Sequence, residues 1–76
     1  MTELSQKVLQ VAAQYLGPES KRFLDRQAEH MEGVKFETME QQHLRMFAWW
    51  CGVSAKLIMN KEKAMELSNK MLELLN

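Results

Sequence analysis

Residues 47–59 read FAWWCGVSAKLIM, thirteen positions with one charge, Lys56, and two adjacent tryptophans. In a chain of 76 residues this segment decides the fold, because whatever it forms must be covered by the little chain that remains. Leu44, Phe47, Ala48, Cys51, Ala55 and Ile58 follow one another at spacings of three and four, the mark of one helical face. The register passes Gly52 without a slip. It predicts one helix over about 39–59, although glycine inside a helix costs about 1 kcal/mol against alanine.

A second stripe, Met39, Met46, Trp50, Val53 and Leu57 flanked by Trp49, runs along the same helix. At about 100° per residue the two stripes leave a narrow polar strip through Gln41, Arg45 and Lys56. A helix apolar nearly all round must be buried nearly all round. The segment is therefore either the central helix or a subunit contact, and adjacent tryptophans, which diverge by about 100°, rarely both fit in one small core. Tryptophan and methionine are enriched in interface cores, and methionine surfaces adapt to varied partners. Met39, Met46, Trp49, Trp50, Val53 and Leu57 are therefore expected to form a contact surface.

Working outward, Leu4, Val8, Val11, Ala12 and Tyr15 predict a first helix with Thr2 as its N-cap. Gly17-Pro18 should stop it, since glycine can take the left-handed conformation and proline cannot continue the hydrogen-bond ladder. Pro18 then suits the first turn of a second helix along Ser20, Phe23, Leu24, Gln27, Ala28 and Met31, ending at Glu32-Gly33. Val34 and Phe36 are expected to plug one end of the bundle. Thr38-Met39-Glu40-Gln41 matches a capping box at the start of the third helix. Asn60 should end that helix and cap a fourth, whose core stripe is Ala64, Leu67, Ser68, Met71, Leu74 and Leu75. The sequence thus predicts one all-α domain over residues 1–76. The expected form is a small four-helix bundle of two antiparallel hairpins, with its third helix long and largely buried.

Composition narrows the function. Ten basic and ten acidic residues cancel, and neither half of the chain is strongly charged: four basic against five acidic over residues 1–33, six against five over 34–76. Nucleic-acid binding is thereby disfavoured, and so is attraction to an anionic membrane. Glu37 and Glu40 at the start of the third helix would also repel phosphate. No signal-peptide layout or membrane-spanning apolar run is expected. With one cysteine no disulfide can form within the chain, which fits a cytoplasmic protein and makes a second subunit the natural staple for so small a core.

Candidate chemistry is sparse. Glu40-x-x-His43 shares a helical face, as ligands do in di-iron bundles, but such sites need two of these motifs and further carboxylates. Cys51 falls inside an apolar stripe, where a thiol acts as an inert hydrophobe. Gln27, central on the apolar face of the second helix, is expected to be a core amide bonded to neighbouring backbone. No catalytic, cofactor or metal residues are assigned. The pattern points to a non-enzymatic helical interaction or oligomerisation module with a protein partner or a second copy of itself, a homodimer. Its alternatives are a bundle holding an apolar ligand or metal between subunits, or a nucleic-acid-binding domain.

Overall fold

The computed structural model describes all 76 residues. Helix α1 comprises two arms, Glu3–Leu16 and Ser20–Ala28, joined by the 3-10 turn Gly17–Glu19. Helix α2 spans Gln41–Ala55 and α3 spans Lys61–Leu72. A second 3-10 turn, Phe36–Thr38, lies in the connection between α1 and α2. The N-terminal arm of α1 packs on α3, the C-terminal arm packs on α2, and α2 and α3 pack on each other.

The four-helix bundle of two hairpins is not formed; there are three helical units. The reason lies at Gly17-Pro18. Gly17 adopts φ +58 and donates its N–H to the Ala13 carbonyl, ending one arm. Pro18 opens the 3-10 turn at once, and Ser20 Oγ donates to the Gly17 carbonyl at 2.7 Å. No coil residue remains to make a hairpin loop, so the two expected helices are one helical unit bent at a glycine.

Thr2 caps α1, accepting from the Ser5 N–H at 3.0 Å, and Asn60 caps α3, accepting from the Lys63 N–H at 2.8 Å. The start of α2 differs from expectation. Met39 is extended (ψ 141) after the 3-10 turn, which makes Glu40 the N-cap instead of Thr38. Gln41 turns to the other end of the chain, donating to the Leu74 carbonyl at 2.9 Å and accepting from the Asn76 N–H at 3.2 Å. Helix α2 also ends early, at Ala55. The amides of Ile58 and Met59 both reach the Ala55 carbonyl, at 3.0 and 2.9 Å, so the chain tightens into a turn before Asn60.

Fourteen buried apolar side chains form one core, drawn from both arms of α1, from α2 and α3, and from the α1–α2 connection. Val8 and Ala12 come from the first arm, Leu24 and Ala28 from the second, and Ala64, Leu67 and Met71 from α3. Phe36 closes one end, stacked on Phe47 with ring centroids 5.9 Å apart, while Val34 beside it is half-buried. The long α1–α2 connection is pinned by the N-terminus. Thr2 donates its N–H to the Glu37 carbonyl at 3.0 Å and its hydroxyl to the Met39 carbonyl at 3.1 Å.

Candidate functional site

Helix α2 buries Leu44, Phe47, Ala48, Cys51, Gly52 and Ala55 on one side. Small residues let α3 approach closely there. A Cβ added at Gly52 would stand 3.2 Å from the Ser68 Cβ, and Ser68 Oγ donates to the Ala48 carbonyl at 2.9 Å. On the opposite flank the nine-residue C-terminal arm of α1 packs on α2. Its buried Gln27 accepts from the Ser54 hydroxyl at 2.6 Å, so this core amide is answered by a side chain of α2 rather than by neighbouring backbone.

With α3 on one flank and the arm on the other, nothing is left to cover the third side. Met46, Trp49 and Val53, at spacings of three and four, are 55%, 56% and 39% exposed there. Leu57 and Ile58, in the turn after α2, extend the apolar surface at 86% and 62%. Ile58 lies in sequence on the same stripe as Leu44 and Ala55; the early end of α2 takes it out of helical register and into solvent. Trp50 is half-buried, its ring stacked on His30 at 4.2 Å with an interplanar angle of 12°. Trp49 meets it edge-on at 4.9 Å. Met39 does not belong to this surface, because it precedes α2 and is fully buried as part of the end plug.

Two open depressions flank the face. One, of about 500 Å³, lies between the second arm and the turn after α2, with Arg22, Arg26 and His30 opposite Leu57 and Ile58. The other, of about 680 Å³, lies between α2 and α3, with Arg45, Met46, Trp49 and Leu72 in its lining.

The reactive groups are occupied elsewhere. His43 Nδ1 accepts the Glu40 backbone N–H at 3.1 Å, so the Glu40-x-x-His43 pattern is part of a helix cap. No group of three or more His, Cys, Asp or Glu side chains is placed to hold a metal ion. Burial pushes the Cys51 thiol far above its ordinary value, leaving it protonated. His30 stacks on Trp50 rather than pairing with that thiol. No helix is long and apolar enough to cross a membrane.

What the arrangement offers is surface: apolar, contiguous and bordered by polar groups. The sequence placed Met46, Trp49, Val53 and Leu57 on it. It missed Ile58, for which the signal was Asn60, since a cap needs an extended residue and hence a turn before it. No protein-family model, curated protein or solved structure matches the chain.

Proposed function

We propose that the protein is a small non-enzymatic helical interaction module that docks to another protein through the outward face of α2. The observation that carries this reading is the row Met46, Trp49 and Val53 on the side of the helix away from the core, continued by Leu57 in the turn after it, all four exposed to solvent. Contiguous apolar patches on small soluble proteins mark interaction sites more often than scattered apolar residues do. Trp49 and Met46 are of the types enriched at interface cores. A single buried, protonated cysteine fits a cytoplasmic setting.

Site-specific photo-crosslinking in the host cell tests the reading. A benzophenone side chain replaces Trp49, Val53, Gln10 or Glu62 in turn, all exposed positions. Discrete adducts are expected from positions 49 and 53 and not from 10 and 62. Labelling that is equal at all four positions, or absent at all four, would overturn it. An adduct of twice the chain's mass would identify the partner as a second copy.

A further inference from the structure

We propose that the partner's docking element is an acidic amphipathic helix seated along the Ser20–Ala28 arm, a proposal that rests on the docking reading above and names its occupant. Three of the seven lysines are in ion pairs: Lys7 with Glu3 at 3.3 Å, Lys21 with Asp25 and Glu37 at 2.8 and 2.9 Å, and Lys70 with Glu66 at 4.0 Å; Lys35, Lys56, Lys61 and Lys63 are in none, and none of them lines the depression beside the arm. The chain has three arginines, Arg22, Arg26 and Arg45. None is in an ion pair, and each lines a depression that flanks the apolar face.

Arg22 and Arg26 stand one turn apart on the same helix, which places their Cβ atoms about 5–6 Å from each other. Carboxylates four residues apart on a neighbouring helix have the same spacing, and guanidinium groups bind carboxylates in a planar, two-bonded geometry. Across the depression, Leu57 and Ile58 offer apolar contact and Glu19 is the one acidic residue. A helix with leucines on one face and glutamates along its border matches both walls.

The other occupants fit less well. A second copy, face to face, would present the same arginine-bearing lining, in which Glu19 is the one acidic residue, and like charges across an interface are costly; Asp25 and Glu29 share a separate depression with Arg22 and Arg26 and do not line this one. A flat bilayer would not fill a depression between two elements, and with ten cations against ten anions the chain has little long-range attraction to an anionic surface.

The test uses the protein's own tryptophans, because Trp50 is stacked on His30, and His30 lines this depression. The probe is a tryptophan-free synthetic helix of about 18 residues, with leucines on one face and bordering glutamates. A second peptide carries glutamines at the border instead. Fluorescence titration should show saturable binding of the glutamate peptide. The glutamine peptide should bind about tenfold more weakly, as should the glutamate peptide to Arg22→Gln/Arg26→Gln, and raising the salt should weaken binding.

Equal affinity for the two peptides would overturn the acidic partner and leave the docking face standing. No binding of either peptide would overturn the proposal alone if position 49 still crosslinks, and both readings if it does not. Arginine-dependent flotation with phosphatidylserine vesicles would overturn it in favour of a membrane. A dimer in light scattering that Trp49→Gln dissociates would overturn it in favour of a second copy.

Discussion

On the inward side of α2, Leu44, Phe47, Cys51 and Ala55 are fully buried, whereas on its outward side Met46, Trp49 and Val53, also apolar, face solvent. Apolar character does not separate the two sides. Supply does. The inward side meets the C-terminal arm of α1 and α3, and shares one core with Val8 and Ala12 of the N-terminal arm. Each apolar Å² removed from water contributes roughly 25 cal/mol wherever it lies, but burial requires a neighbour, and 76 residues provide neighbours for one side of the helix. Small chains leave a larger share of their surface in water for the same reason. A tryptophan more than half exposed in that setting contributes less to the stability of the isolated chain than a core side chain does.

The comparison breaks first at the core. Phe47→Ala should lose about 3–5 kcal/mol in urea unfolding, a large share of what so small a domain can have. A loss of similar size at Trp49→Ala would mean that the two sides are not different in kind. Gly52→Val should cost about 1–3 kcal/mol, because the added atoms run into Ser68 on α3. An unchanged unfolding midpoint would show that α2 and α3 are not held so closely.

Alkaline pH sharpens the inward side further. Burial raises the folded-state pKa of Cys51 above its ordinary 9.0. The resulting stabilisation is complete below pH 9 and is lost as the pH rises from there toward the folded value, since only the unfolded thiol ionises in that window. Stability should therefore fall by up to about 1.4 kcal/mol per pH unit above pH 9. Cys51→Ala should remove that slope, as read by urea unfolding under reducing conditions at pH 8 and pH 10. Tyr15 and Lys21 also have raised values, Tyr15 chiefly through desolvation and Lys21 chiefly through its bond to Asp25. Their contributions run in the same direction, so the difference between wild type and Cys51→Ala isolates the thiol.

Features set by near neighbours could be read from the sequence. Thr2 and Asn60 cap the helices they precede, Gly17 ends the first arm, and five of the six residues in the stripe from Leu44 to Ile58 are core. What could not be read depends on residues far apart in the chain. Thr38-Met39-Glu40-Gln41 and Glu40-Gln41-Gln42-His43 are both cap-like, and the choice fell to the second because Met39 is held in the core and leaves the helix. Ser5 is buried where the N-terminus meets the α1–α2 connection, its hydroxyl 3.3 Å from the Glu37 carbonyl. The His30–Trp50 stack and the Gln27–Ser54 bond likewise join residues whose proximity no local spacing encodes. The row Met46, Trp49, Val53 and Leu57 was legible as a stripe, but that it faces water follows only from the count and placement of the other helices.

The most direct measurement is urea unfolding of Trp49→Gln/Val53→Gln, which replaces two outward apolar side chains with a good helix former. The double variant should keep its helical circular dichroism and lie within about 1–2 kcal/mol of wild type, most of it the lost edge contact with Trp50. A loss as large as that of Phe47→Ala would contradict the account, placing the outward side of α2 in the core and leaving no free face for a partner.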